Sequence, residues 1–233
     1  MKKITALALT VLAGGAVTAA PAAPAAAAPA ALTAPATGVP AAGAPAAGAA
    51  AIPRGFLLYE RDAAGKDDDP QTNWKVSGSV KAKLAVNPCD RSTLARTGRL
   101  AARTVTYTAV PDFLKVEQVV LYRTPADAVR AVSQVRAALG ACRSGTGSAS
   151  TYRYASARLG GLGDEALRVA GQVYYDGRAG VGGDRSVLVR KGDAVLVYLW
   201  AGEYAKPARS DWATQLRDAR RMTAKVCAIA TCG

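Results

Sequence analysis

The stretch Ala194-Val195-Leu196-Val197-Tyr198-Leu199-Trp200 is apolar at every position. A strand with one wet face alternates apolar and polar residues, so an unbroken apolar run predicts a central strand covered on both sides. The rest of the chain must supply hydrogen-bonded neighbours and something to cover each face. Neighbours are available in runs rich in β-formers at 103–108, 115–123, 151–159, 166–175 and 185–190. The run at 185–190 connects to the apolar strand through Lys191-Gly192-Asp193, a short glycine-containing link that reads as a hairpin. A shorter apolar piece, Phe56 to Tyr59, reads as either a helical turn or a strand.

Two segments carry helical periodicity. Thr124-Pro125-Ala126-Asp127 places a hydroxyl cap, a proline at the first helical position and an acid at N3. Ala128, Val132, Val135, Leu139 and Cys142 then form one apolar stripe, and Gly145 and Gly147 end the pattern. The second helix starts near Ser210-Asp211. Trp212, Leu216, Ala219, Thr223, Val226 and Ala230 lie along its inner side, with Arg217, Arg221 and Lys225 outside. The order ββ, α, ββββ, α is not an alternating βα series. It predicts an α+β fold, a twisted antiparallel β-sheet with two main helices packed on it.

Met1-Lys2-Lys3, an apolar stretch to about Ala20 and small residues such as Val17-Thr18-Ala19 read as a secretory signal over 1–20, expected to be cleaved rather than kept as an anchor. Residues 21–53 hold seven prolines among alanines and glycines and no charge, the composition of an extended, disordered linker. Residues 54–233 form the expected single domain, long enough to build its own core. After export, no stable membrane span is expected.

Export makes disulfides the expected state of the four cysteines. Cys89 with Cys142 and Cys227 with Cys232 is the preferred pairing; Cys142 with Cys227 is the main rival. Zinc is disfavoured, because there is no C-x-x-C pair and no histidine anywhere in the chain. The missing imidazole also removes Ser-His-Asp and Cys-His catalysis. No cofactor is expected.

Other motifs have bland readings. Leu159-Gly160-Gly161-Leu162-Gly163-Asp164 lacks the Lys-Ser/Thr ending of a phosphate loop and reads as a turn. The run Asp176 to Asp184 reads as a long glycine-rich hairpin connection, and Asp67-Asp68-Asp69 as a solvated loop without calcium-loop spacing. Glu117, Asp164, Glu165 and Glu203 are the acids a paired-carboxylate site could draw on, but no spacing brings two together. Net charge is +13, from 30 basic and 17 acidic residues, which biases the chain toward anionic partners.

Asn87-Pro88-Cys89, the stretch Glu117 to Tyr122 followed by an Ala-rich helix ending in Cys142, the step Leu162-Gly163-Asp164-Glu165-Ala166, and a final strand pair plus Cys-bearing helix carry a resemblance. The chain resembles actinobacterial secreted sensor-type domains, among them the PknH-like extracellular sensor domain family. The resemblance covers about residues 54–233 and implies a disulfide-stabilised α+β domain with a ligand-binding cleft. Unlike those kinases, the sequence carries no kinase domain.

These features together lead to the expectation of a secreted, non-enzymatic, sensor-like domain that binds an unknown extracellular ligand. The alternative is a wall-associated protein held by charge on an anionic cell-envelope polymer, and nucleic acid is not expected as a partner. If Leu167, Val169 and Val173 face the helices, strand parity sends Arg168, Gln172 and Tyr174 to the opposite face as cleft residues.

Overall fold

The computed structural model describes residues 51–65, 69–144 and 150–232. The expected signal, nearly all of the linker, and Asp67 and Asp68 lie outside the described residues. Eight strands form one sheet: β1 (Thr72–Ser77), β2 (Arg99–Ala109), β3 (Phe113–Tyr122), β4 (Arg143–Ser144), β5 (Ser150–Leu159), β6 (Glu165–Tyr175), β7 (Arg178–Lys191) and β8 (Ala194–Gly202). Their order across the sheet is β1-β2-β3-β8-β7-β6-β5-β4, with every pair antiparallel. Three α-helices accompany it: α1 (Glu60–Ala63), α2 (Pro125–Ala141) and α3 (Ala213–Lys225).

The apolar run is β8, in the middle of the sheet between β3 and β7. Its alternate residues serve two cores. Val195, Val197 and Leu199 join the apolar stripe of α2, including Val132, Val135 and Leu139, and a covering loop that contributes Leu84, Val86 and Leu94. Ala194, Leu196 and Tyr198 join Trp212, Ala219 and Met222 from α3 and its approach, with Ile52, Phe56 and Leu57 from the N-terminal segment. The two long helices therefore lie on opposite faces, which is why β8 needs apolar residues at both parities. Helix α2 begins at the expected cap, where Thr124 Oγ1 accepts from the Asp127 backbone N–H at 3.1 Å.

Two adjacent polar residues on β3 fasten the covers. Glu117 and Gln118 are 0 % and 1 % exposed and point to opposite faces. Glu117 accepts from the backbone N–H groups of Leu58 at 2.9 Å and Tyr59 at 2.6 Å, pinning the N-terminal segment to the α3 face. On the α2 face, Gln118 accepts from Ala85 N–H at 2.9 Å and donates to Lys83 O at 3.0 Å and Thr104 Oγ1 at 2.9 Å. Each side chain thus satisfies backbone groups that would otherwise be buried without partners.

The glycine-rich run after β6 differs from its expected form. Asp176 and Gly177 have φ of 48° and 77°, making a two-residue turn, and β7 begins at Arg178. Two successive left-handed residues match the right-handed twist of a hairpin, so Asp-Gly closes the turn and the remaining glycines run on as strand. Gly192, at φ +56°, makes the β7–β8 turn; a Cβ there would sit 1.9 Å from Thr231 O, so the C-terminal tail can pack onto the hairpin only beside glycine.

Both disulfides follow the preferred pairing, Cys89–Cys142 with a sequence separation of 53 and Cys227–Cys232 with a separation of 5. In the chain-entropy picture the longer loop contributes about 4 kcal/mol and the shorter about 2 kcal/mol. Urea unfolding of Cys89→Ala/Cys142→Ala should accordingly show roughly twice the loss of Cys227→Ala/Cys232→Ala. Equal losses would mean that the bridges act through the native state instead.

Candidate functional site

At the end of the sheet where β3 starts and β8 finishes, the α3 face is left partly open. The N-terminal segment and α1 form one wall and α3 the other. Between them runs a groove of about 450 Å³ whose lining includes Tyr59, Lys115, Trp200, Thr214, Arg217 and Asp218. Arg61 and Asp62 of α1 and Arg221 of α3 complete its rim. Strand parity explains the floor, because Lys115 and Trp200 are cross-strand partners on β3 and β8 and share a face with Glu117 and Tyr198 one rung further in.

A chain of buried polar groups holds the wall in place. Tyr198 Oη donates to Glu117 Oε1 at 2.6 Å, and Tyr59, whose backbone is held by Glu117, donates its own hydroxyl to Asp218 Oδ2 at 2.9 Å. Burial, reinforced by the neighbouring carboxylates, lifts both phenols far above their ordinary range, so both remain donors at any pH at which the protein folds. Lys115 Nζ lies 3.7 Å from the Tyr59 ring centroid, and its charge meets Asp62 at 3.7 Å.

The rim carries four cations and two acids. Asp218, 4 % exposed, is engaged by Tyr59 and by Arg217 Nε at 3.1 Å, with Arg221 Nη1 at 3.9 Å. Arg217 and Arg221 are each 64 % exposed, so most of their donor forks face water. What the groove offers a ligand is therefore a surplus of N–H donors carrying positive charge. A neighbouring hollow of about 570 Å³ is larger, but the buried charges on its lining, Glu60 and Arg103, pair with each other. Among the described residues of its lining, the other charged side chain is the exposed Arg54.

The acids singled out from sequence have separate tasks. Glu117 is fully buried under the N-terminal segment, out of reach of any substrate. Asp164 binds Gly192 N–H at 2.7 Å, Arg190 at 2.9 Å and Lys191 at 3.1 Å; Glu165 pairs with Arg136; Glu203 is exposed at the end of β8. Among the described residues no cluster of His, Cys, Asp and Glu is arranged to hold a metal ion.

Arg168 and Gln172 share the α3 face of β6 with Ala166 and Ala170, while Leu167 and Val169 take the α2 face. Arg168 stacks on Trp212, its guanidinium carbon 4.8 Å from the ring centroid, beside a hollow of about 180 Å³. Gln172 is buried, and its amide donates to Gly180 O at 2.6 Å, Gly182 O at 3.0 Å and Tyr204 O at 3.2 Å while accepting from Arg185 at 2.9 Å. Tyr174, past a register shift in β6, lies under Arg153 with 4.6 Å between guanidinium carbon and ring. The three are not gathered into the groove. Its own residues come from segments 58–62, 115, 200 and 214–221, whose convergence has no local signature.

Titration of the buried acids gives the fold a pH dependence. Burial raises Glu117 above its ordinary 4.5, against the pull of the Tyr198, Tyr59 and Leu58 donors, and burial likewise raises Asp184 above 3.8 against Tyr152 and Ser186. In this window the native state binds protons that the unfolded chain has released, so stability falls as pH rises through the lifted values. Asp164 has the opposite sign. Burial raises it, but the Gly192 N–H, Lys191 and Arg190 together hold it below 3.8, and its contribution is lost as pH falls. Urea midpoints should decline from about pH 4.5 toward neutrality, and Asp184→Asn should flatten that decline. A flat profile in the parent protein would contradict the assignment.

No protein-family description matches the chain, and no curated protein matches it. Among solved structures, the extracellular domain of PknH from Mycobacterium tuberculosis aligns over 76 % of this chain and 100 % of that chain, at 12 % sequence identity and a TM-score of 0.49. No helix among the described residues is long and apolar enough to cross a membrane.

Proposed function

We propose that this chain is a secreted, non-enzymatic, sensor-like domain that binds an anionic extracellular ligand in the groove between α1 and α3. The observation that carries the reading is the rim. Arg61, Lys115, Arg217 and Arg221 outnumber the groove's two acids, Asp62 and Asp218, which pair with Lys115 and Arg217, so the lining keeps a surplus of positive charge. Anions gain most where donors are pre-positioned, and Asp218 holds Arg217 Nε at 3.1 Å before any ligand arrives. Export fits the N-terminal sequence and the two disulfides.

The three tryptophans make the proposal directly testable, since they occupy three different places. Trp200 lines the groove, Trp74 lies on β1, and Trp212 stands beside Arg168 with its indole donating to Val169 O at 3.0 Å. Titrating inorganic pyrophosphate into ¹⁵N-labelled protein should shift the Trp200 indole signal and leave Trp212 in place. Movement of Trp212 with Trp200 still would place the contact at Arg168 instead. If neither indole responds at low ionic strength, the groove does not bind anions.

A second reading is favoured by the outer side of α3, which exposes Arg217, Arg220, Arg221 and Lys225 and no acid. Such a face would hold the protein on an anionic envelope polymer by charge alone, and retention on isolated walls would then be lost as salt screens it.

A further inference from the structure

The groove does not end at Trp200. On the same face of the sheet, register places Trp74 opposite Tyr107, Tyr107 opposite Lys115, and Lys115 opposite Trp200, one rung across four strands. Phe113 stands beside this rung and links its aromatic members. Ring centroids are 4.5 Å apart for Trp74–Tyr107, 6.1 Å for Tyr107–Phe113 and 5.7 Å for Phe113–Trp200. All four rings are partly exposed. The row lies one rung beyond Glu117, at the point where the cover given by the N-terminal segment and α3 gives way to the groove.

Resting on the groove reading above, we infer that the ligand is an anionic glycan, whose acidic groups sit among the groove cations while its sugar rings pack along the row from Trp200 to Trp74. A small inorganic anion would use the arginines and leave the row idle. A pyranose ring has an apolar C–H face and a rim of hydroxyls, so it gains from half-exposed aromatic area flanked by polar groups. Lys115 fits this arrangement, with its charge 3.7 Å from the Tyr59 ring and 5.5 Å from the Trp74 ring, positioned for a uronate carboxylate that bridges groove and row. Single-stranded nucleic acid also combines cations with aromatics, but the secreted reading on which this inference rests places the domain among extracellular and envelope glycans, and oligo-dT is a competitor in the test. Neighbouring rings are turned by 44°, 66° and 77° and are not stacked on one another.

The test titrates a short oligogalacturonate into the labelled protein, beside inorganic pyrophosphate, a neutral malto-oligosaccharide of equal length and oligo-dT. The expected result is that oligogalacturonate shifts the Trp200 and Trp74 indoles together, whereas pyrophosphate shifts Trp200 alone. Trp74→Ala should weaken oligogalacturonate by about tenfold and leave pyrophosphate binding unchanged. Phe113→Leu is the second variant, and an unmoved Trp212 signal confirms the fold of each. If oligogalacturonate leaves Trp74 still and Trp74→Ala binds it as well as the parent does, the glycan inference is overturned while the groove stands. Tighter binding of oligo-dT, or equal binding of the neutral sugar, also overturns it. Silence of Trp200 toward both anions removes the groove reading along with it.

Discussion

Glu117→Ala is expected to lower the stability of the domain by roughly 5 kcal/mol, since it leaves three buried donors without an acceptor at about 1–3 kcal/mol each. Those donors are the backbone N–H groups of Leu58 and Tyr59 and the hydroxyl of Tyr198. The loss should be regional as well as global. With the pin removed, the segment from Ile52 to Tyr59 loses the side-chain acceptor that ties it to β3, and limited proteolysis should cut there before the sheet unfolds. Glu117→Gln keeps one acceptor oxygen but turns an amide NH₂ toward a backbone N–H, and should fall between the parent and the alanine variant. Tyr198→Phe, which deletes one donor and leaves the two backbone bonds, should cost about 1 kcal/mol. Urea unfolding that ranks the three variants in any other order would contradict the pinning role.

Arg185→Ala should have an effect of similar size, about 5 kcal/mol, for a different reason. The guanidinium is 0 % exposed and donates to Asp211 at 3.1 Å, to the carbonyls of Gly171 and Asp184 at 2.9 Å, to Gln172 Oε1 at 2.9 Å and to Ala205 O at 2.8 Å. It also stacks against Tyr204, 4.5 Å from the ring centroid. Removing it takes the cation from Asp211, leaves the Gly171, Asp184 and Ala205 carbonyls and Gln172 Oε1 without this donor, and frees the segment after β8 from the β6–β7 hairpin. Lysine cannot replace it, because an ammonium has three donors and no planar fork. Arg185→Lys should recover less than half of the loss in thermal or urea unfolding; full recovery would show that charge alone matters there.

These two residues also show where sequence reasoning stops. The core of β8 and the stripe and cap of α2 are local patterns, carried by residues within one or two turns of each other, and they are legible. The order of strands and helices limits the fold to an antiparallel sheet with packed helices. Glu117 is different. It reads as one polar residue in a β-rich stretch, and its partners lie 58 and 59 residues away, so nothing nearby marks it as buried. Arg185 reads as a surface arginine at the start of a strand for the same reason.

The start of β7 is masked in the sequence by its glycines. Gly180, Gly182 and Gly183 suggest a loop, yet Asp176-Gly177 already supplies the turn, and Gly180 and Gly183 occur where neighbours approach closely, while Gly182 takes a φ of +110°. A Cβ on Gly183 would meet Gly171 O at 2.3 Å. β1 leaves little trace in the sequence, because Thr72–Ser77 is an edge strand with few apolar residues. Arg168 and Gln172 do share the face that parity assigns them, but which residues cover a face depends on where α3 returns. That return also builds the groove.

The most direct test of the account compares two charge-matched double variants. Arg217→Ala/Arg221→Ala removes two groove cations, and Arg209→Ala/Arg220→Ala removes two exposed cations from the same part of the chain outside the groove lining. Pyrophosphate affinity, measured calorimetrically at low ionic strength, should fall by roughly a hundredfold in the first, since two charge-assisted contacts are lost. In the second it should change by no more than about threefold, the residual effect of screened long-range charge. Equal losses in the two variants would contradict the groove and leave only a protein attracted to anions by its net charge.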